Sequence, residues 1–353
     1  MAPMTSGTAL AERPTDWLST LSTPRIPVGS DAPPAVRVSS HVQRIAHPAA
    51  GVVSGLIGAV TDLAVTRDGR QLVAAHYADD AVSVIDTATL TVTATVGDIA
   101  EPYAVVAADR AYLQSASLAK DSVVAVDLEV GAELAAREVG IGASGLAAAP
   151  AGDVLYVARS FDGIVDIATV DVESGKVSAI PVLRAHDASI DTVRINASGT
   201  RLYAALTTAA GGSLVCVDIR TGRVQTVSVG GTIDDIAVHA DDRRVFVTGW
   251  DDELGAVLRV VDTASTRVVR AIDVDALPVS MVVAGSDVVL AQGDSITVID
   301  VATMRTVNRI DIRRPVSCLA VSPDGTTLYV GDFDGAVTAL ALQASSQARR
   351  AAS

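Results

Sequence analysis

The chain has 353 residues, 49% of them hydrophobic and 19% charged, with a formal net charge of −14. This negative charge argues against nucleic-acid binding, because proteins that bind nucleic acids present a basic surface. No uncharged apolar run approaches the roughly 18–20 residues of a membrane helix, so we expect no membrane insertion. The first 36 residues lack the basic and apolar regions of a secretory signal, and Cys216 and Cys318 are too few for a disulfide framework. We therefore expect a cytoplasmic protein.

The chain begins with a segment rich in proline and threonine, which we expect to be a flexible arm over residues 1–34. The next segment, AVRVSSHVQRIAHP (35–48), is predicted to be a strand. Residues 60–96 then hold four short apolar strands separated by polar turns: VTDLAVT, QLVAAHY, AVSVID and TATLTVTATV. This pattern is typical of an antiparallel four-stranded sheet.

The same four-strand pattern recurs along the chain. The third strand of each copy ends on an aspartate, and these aspartates follow one another at intervals of 38 to 47 residues: Asp86, Asp127, Asp171, Asp218, Asp262 and Asp300. This interval matches the roughly 40–45 residues of one β-propeller blade.

A seventh copy starts at Pro315 and has only three strands before the tail at 344–353, which we expect to be flexible. The strand at about 36–48 should supply its missing fourth strand and so close the ring. We predict an all-β, seven-bladed propeller over residues 35–343, with four antiparallel strands per blade. Deletion of the closing strand should destabilise the ring, and deletion of residues 1–30 should not.

The segments AAHYADDAVSVIDTATLTVTATV and SPDGTTLYVGDFDGAVTAL resemble the YVTN-type β-propeller repeat, which is related to WD40 repeats. The resemblance covers about residues 36–342 and implies the propeller fold. It implies no single function, because similar repeats occur in surface-layer proteins, lactonases, oxidoreductases and scaffolds. The Gly-His and Trp-Asp pairs of WD40 repeats are not repeated here.

Aromatic residues make up only 3% of the chain, so their positions are informative. Five occupy the same position in the second strand of their blades and are predicted core residues: Tyr112, Tyr156, Tyr203, Phe246 and Tyr329. The others are predicted to lie in loops of one face, around the axial opening: Tyr77, Tyr103, Phe161, Trp250 and Phe333. Such a face suggests a protein-binding surface, since aromatic rings bury much area at low entropic cost. The alternative is that each ring caps its own blade.

Carboxylates are expected near these aromatic residues. Alignment of the first strands of the blades places four near the mouth of the axial channel: Asp62, Asp191, Asp234 and Asp235. An acidic funnel attracts cations or a basic partner, and converging oxygens could hold Ca²⁺ or Mg²⁺. The alternative is that these short acids make local hydrogen bonds. We expect no resident cofactor or metal.

We assign four basic or imidazole residues to the same predicted partner-binding face: His76, His186, Arg159 and Arg184. They also offer further chemistry. His76 and His186 could serve as metal ligands or as a general base, and His186 is expected in a long loop at about 182–189. Arg159 and Arg184 could clamp a carboxylate or phosphate. The alternative is that these four residues are ordinary turn or surface residues.

These observations favour a non-enzymatic scaffold that binds a protein partner through an acidic, aromatic-bearing face. The alternative is an enzyme that acts on a small molecule in the axial funnel, for which the resemblance implies lactone hydrolysis. The chain contains no G-x-S-x-G, Walker, H-E-x-x-H or C-x-x-C motif, which lowers the expectation of catalysis.

Overall fold

A computed structural model describes residues 49–53, 55–117 and 120–342. The predicted arm (1–34), the predicted strand (35–48) and the tail (344–353) lie outside the described residues. The described chain forms 28 strands and one short 3₁₀-helix, Tyr77–Asp79. No helix in this part of the chain is long and apolar enough to cross a bilayer.

The strands follow one another in seven groups. A single strand comes first: β1 (Ala49–Val53). Blades 1 and 2 comprise β2 (Asp62–Val65), β3 (Gln71–His76), β4 (Ala81–Asp86), β5 (Thr91–Val96), β6 (Pro102–Ala107), β7 (Ala111–Ser115), β8 (Asp121–Asp127) and β9 (Ala132–Gly140). Blades 3 and 4 comprise β10 (Ala143–Ala148), β11 (Val154–Phe161), β12 (Ile164–Asp171), β13 (Val177–Arg184), β14 (Ser189–Ile195), β15 (Arg201–Thr208), β16 (Gly211–Asp218) and β17 (Arg223–Ser228). Blades 5 to 7 comprise β18 (Asp235–Val238), β19 (Arg244–Asp251), β20 (Gly255–Asp262), β21 (Arg267–Asp273), β22 (Ser280–Ala284), β23 (Asp287–Gln292), β24 (Ser295–Asp300), β25 (Arg305–Asp311), β26 (Val316–Val321), β27 (Thr327–Asp332) and β28 (Val337–Ala341).

Each blade is one four-stranded antiparallel sheet, so the predicted seven-bladed fold is confirmed. In blades 1 to 6 the four strands are consecutive in the chain. In blade 7 the order is β1-β28-β27-β26, so an N-terminal strand closes the ring as predicted. The strand extends beyond its predicted end, because Ala49–Val53 pairs with β28. The predicted segment 35–48 lies outside the described residues.

The core lies between the blades. Seven clusters of buried apolar side chains each join residues of two neighbouring blades, one cluster at each of the seven interfaces. The five aromatic residues predicted to be core are at most 6% exposed in these clusters. Each blade therefore buries its apolar faces against its neighbours rather than within itself.

The repeated aspartates serve the turn between the third and fourth strands. Oδ1 of Asp86 accepts hydrogen bonds from the backbone N–H and the hydroxyl of Thr89, both at 2.8 Å. The same arrangement recurs at Asp171, Asp218, Asp262 and Asp300 with the Ser or Thr three residues later. These hydrogen bonds lower the pKa of the Asp218 carboxyl, as they do for Asp86. The aspartate that marks the repeat is thus a turn residue.

Candidate functional site

One end of the ring carries two kinds of connection. The first kind is the blade-to-blade turns, which lead into the innermost strand of each blade. The second kind is the hairpin tips, which run from the last two residues of a blade's second strand to the first residue of its third strand. Because the strands alternate in direction, both kinds lie at the same end of every blade. We call this surface the top face.

The exposed aromatic side chains of the described chain all lie on the top face. Tyr77, Phe161, Trp250 and Phe333 are 41%, 55%, 49% and 55% exposed. Phe161 and Trp250 were predicted to lie in loops, but Phe161 is the last residue of β11 and Trp250 is the second-to-last residue of β19. They are exposed there because the strands extend beyond the packed part of the blade into a hairpin tip.

Aliphatic side chains add to this surface. Exposed large apolar residues on the top face are Ile57, Tyr77, Ile141, Phe161, Ile164, Trp250, Leu277, Val279 and Phe333. The remaining six are Val130, in a turn at the opposite end of the ring, and Val52, Leu134, Val177, Val269 and Val307, on outermost strands. Sequence reasoning missed the aliphatic members. The available signal was an apolar residue within a turn, where polar residues are expected.

Blade 3 shows how the chain exposes such side chains. Asp162 and Gly163 join β11 to β12 in a two-residue turn with φ of 50° and 72°. Positive φ at both positions is the geometry of a tight type I′ hairpin. The turn places Phe161 directly opposite Ile164, both exposed at the tip.

Tyr103 was predicted to be a loop residue of this face, and the structure differs. It lies within β6 and is partly buried. Its hydroxyl donates to the carbonyl of Ala143 in blade 3, and burial raises the pKa of its phenol. Tyr103 therefore joins two blades.

His76 is not accessible from the top face, so its predicted role in partner binding is wrong. Its side chain is 0% exposed. Nε2 lies 2.9 Å from the hydroxyl of Ser83, and Nδ1 lies 3.2 Å from the carbonyl oxygens of Gly58 and Ala59. Burial lowers the pKa of this imidazole. These contacts fix the start of blade 1.

The side chain of Arg159 is also held by groups within the protein. Its guanidinium forms a bidentate pair with the buried Asp166, with Nε–Oδ1 and Nη2–Oδ2 distances of 2.7 and 2.8 Å, and donates to the carbonyl of Val139. A guanidinium bound in this way has no free planar edge for the predicted clamp. Arg184 and His186 are exposed, and the loop that carries His186 is shorter than predicted, at 185–188.

The predicted axial acids divide into two pairs. Asp62 and Asp235 accept hydrogen bonds from backbone N–H groups of the next blade, at Val105 and Met281, both at 2.8 Å. Asp235 also pairs with Arg194 of the preceding blade at 3.0 Å. Burial raises the pKa of Asp62 to about 6 and raises that of Asp235. These two carboxylates hold the innermost strands together.

Asp191 lies within the innermost strand β14 and Asp234 lies in the turn before β18, and both are exposed. Burial and the nearby Asp235 raise the pKa of Asp234. Within the described residues, no group of three or more His, Cys, Asp or Glu side chains could hold a metal ion.

Comparisons with known proteins agree with the fold. The chain is 28% identical over 326 residues to the seven-bladed beta-propeller protein Rv1057 of Mycobacterium tuberculosis, covering 81% of this chain and 82% of that protein. It is 36% identical over 69 residues, 19% of each chain, to a seven-bladed beta-propeller protein of Mycolicibacterium smegmatis. A chain of the hydrazine synthase of Kuenenia stuttgartiensis superposes with a TM-score of 0.71 at 20% identity, covering 82% of this chain and 97% of that chain. No family model matches.

Proposed function

We propose that this propeller is a non-enzymatic interaction module that binds a protein partner through its top face. The observation that carries this proposal is the distribution of exposed apolar side chains. Nine of the fifteen lie on the top face, including every exposed aromatic residue of the described chain, while the turns at the opposite end carry only Val130. Apolar side chains concentrated on one rigid surface are typical of interaction sites.

The alternative, a lactonase-like hydrolase in the axial funnel, has less support. A catalytic acid or base needs a group that can reach substrate. Of the four predicted axial acids, Asp62 and Asp235 use their carboxylate oxygens in hydrogen bonds that join neighbouring innermost strands, which leaves two exposed, Asp191 and Asp234. The cytoplasmic location and the likeness to YVTN repeats remain predictions from the sequence.

The proposal is tested by affinity capture with a Trp250→Ala/Phe333→Ala variant. We expect this variant to lose the partner that the wild-type protein retains, by tenfold or more, since central aromatic residues contribute about 2 kcal/mol or more each to such interfaces. Its melting temperature should stay close to that of the wild type, because both rings are about half exposed.

The matched control is Val130→Ala/Val307→Ala, which removes exposed apolar side chains outside the top face. It should bind like the wild-type protein. Full retention of the partner by the Trp250→Ala/Phe333→Ala variant would refute the proposal.

A further inference from the structure

The top face has a large excess of exposed acidic over exposed basic residues, whereas the opposite end of the ring has nearly equal numbers of the two. Its turns and tips hold three exposed basic residues, Lys120, Arg313 and Arg314. They hold twelve exposed acidic residues: Asp79, Asp80, Asp98, Glu101, Asp162, Asp187, Asp234, Asp252, Glu253, Asp275, Asp294 and Asp334. The turns at the opposite end hold seven exposed acidic residues (Asp68, Asp109, Glu129, Asp153, Glu173, Asp241 and Asp324) and six exposed basic residues (Arg67, Arg70, Arg110, Lys176, Arg220 and Arg243).

The charge of the top face is not neutralised by residues in the part of the chain that the structure describes. Of the twelve acidic residues, Asp275 forms an ion pair with Arg309. The other eleven form no ion pair with any residue in the described ranges. Two of the three basic residues are themselves paired, Lys120 with Glu138 and Arg314 with Asp332. A partner that covered this surface would therefore meet uncompensated carboxylates.

Apolar and acidic groups lie together where blade 7 meets blade 1, and we call this part of the top face the seam: Ile57, Tyr77, Asp79, Phe333 and Asp334. The tip of blade 7 touches the turn before β2, because a Cβ on Gly335 would lie 2.7 Å from the carbonyl oxygen of Gly58. A Cβ on Gly58 would in turn collide with Oδ2 of Asp79. Phe333 and Tyr77 therefore lie on either side of one short turn, which also exposes Ile57.

Hydrogen bonds also fix two acidic residues next to Tyr77, on the side of blade 1 that faces blade 2. The Tyr77 hydroxyl donates to Oε2 of Glu101 at 2.9 Å. The backbone N–H of Glu101 donates to Oδ1 of Asp80 at 2.8 Å. The side chains of Tyr77, Asp80 and Glu101 are therefore held in place before a partner binds. Because they are already ordered, little conformational entropy is lost on binding.

We infer that the partner presents a cationic amphipathic segment, with apolar side chains on one side and Lys or Arg on the other. This inference rests on the proposed function. A neutral or acidic partner would bury the carboxylates without compensation, which is costly, whereas a cationic one supplies their counter-charges as its apolar side covers Phe333, Ile57 and Tyr77. Charge complementarity thus selects this occupant over a second copy of an acidic chain.

The inference is tested with two synthetic 18-residue amphipathic peptides, one of leucine and lysine and the other of leucine and glutamate in the same pattern. The wild-type protein should bind the lysine peptide about tenfold or more tightly than the glutamate peptide in fluorescence anisotropy. Affinity for the lysine peptide should fall as the salt concentration rises, because exposed charges are screened. A lysine peptide of the same composition in scrambled order should bind more weakly.

Matched charge variants localise the effect. Asp79→Asn/Asp334→Asn removes two carboxylates of the seam that accept no hydrogen bond within the described chain, and should weaken binding of the lysine peptide about threefold or more. Asp109→Asn/Asp153→Asn removes the same charge from the opposite end and should leave binding unchanged. Equal affinity for the lysine and glutamate peptides, or an equal loss in both variants, would overturn the inference.

Two other outcomes separate the inference from the proposed function. In the first outcome, the Trp250→Ala/Phe333→Ala variant loses a captured partner, the Asp79→Asn/Asp334→Asn variant keeps it, and the affinity does not change with salt concentration. This outcome would overturn the inference of a cationic segment and leave the proposed function standing. Dimerisation of the wild-type chain in sedimentation velocity, abolished by Phe333→Ala, would assign the surface to a second copy and overturn the inference as well.

Discussion

Asp62 combines burial with hydrogen bonds in a way that makes its ionisation costly. Its carboxylate accepts N–H groups of Leu63 and Val105, which favours the charged form, as does the charge of Arg194. Burial outweighs these contacts, and the negative charge of Asp235 acts in the same direction as burial. The pKa of Asp62 is therefore raised from 3.8 to about 6.

This shift predicts how stability depends on pH. A carboxyl whose pKa is higher in the folded than in the unfolded chain stabilises the fold when protonated. Its contribution is fully present below about pH 4 and is lost as the pH rises through about 6. The wild-type protein should therefore lose about 2 kcal/mol of unfolding free energy relative to Asp62→Asn between pH 4 and pH 7.5.

The measurement is urea unfolding of both proteins at several pH values. The other carboxyl groups are common to both chains, so their titration cancels in the difference. The hydrogen bond that asparagine cannot accept adds an offset that does not vary with pH. If the stability difference between the two proteins stays flat across this range, Asp62 titrates normally; if the wild type gains stability relative to Asp62→Asn as the pH rises, the pKa of Asp62 is lowered by folding. Either result would contradict the raised pKa.

His76 and Arg159 show which residues sequence reasoning placed wrongly, and why. Both lie three residues after the position that holds the core aromatic in most blades. In the other blades that position is Ser115, Leu206, Gly249, Gln292 or Asp332, and all are buried. His76, Arg159 and Gln292 each bond a side chain of the adjacent third strand, at Ser83, Asp166 and Thr297. Alignment of the blades could have revealed the buried position, but its polarity alone suggested exposure.

At the scale of the strand, the periodic part of the chain was predictable. Alternating apolar residues and regularly spaced aspartates define β4, β8, β12, β16, β20 and β24, which all end on the expected residue. The closing strand has no such marker. Its sequence, Ala49–Val53, is short and is not followed by the usual turn, and its partner β28 lies at the other end of the chain. Local pattern therefore could not define its bounds.

The closing strand supplies a matched pair of neighbouring valines. Val53 is 2% exposed and packs in the cluster between blades 7 and 1, whereas Val52 is 52% exposed. Val53→Ala should lower the free energy of unfolding by about 2 kcal/mol, because it removes buried methyl groups and leaves a cavity. Val52→Ala should change it by less than about 0.5 kcal/mol.

Denaturant unfolding of the two variants tests whether Ala49–Val53 closes the ring. Both substitutions have the same effect on intrinsic strand propensity, so the difference between them reports burial. Equal losses in the two variants would contradict the assignment of this strand.

At the scale of the whole molecule, we expect the ring to open first where β1 pairs with β28. A blade can separate only when the apolar clusters on both of its sides open, since each cluster joins two neighbouring blades. In blades 1 to 6 a short turn connects the fourth strand to the third, as residues 219–222 connect β16 to β17. In blade 7, β1 and β28 are connected only through the rest of the ring, so no short loop favours their pairing. Local opening should begin there.

Amide hydrogen exchange measures this directly. The comparison is between β1 and β17, because both are the outermost strands of their blades and β17 lies across the ring in blade 4. We expect the paired amides of β1 to exchange at least tenfold faster than those of β17, and Val53→Ala to widen the gap. The same variant should accelerate exchange in blades 7 and 1 before it affects blade 4, because its lost contacts lie in the cluster between those two blades. Uniform acceleration across all seven blades would mean that the ring opens only as a whole and that the closing strand is as firmly held as any other.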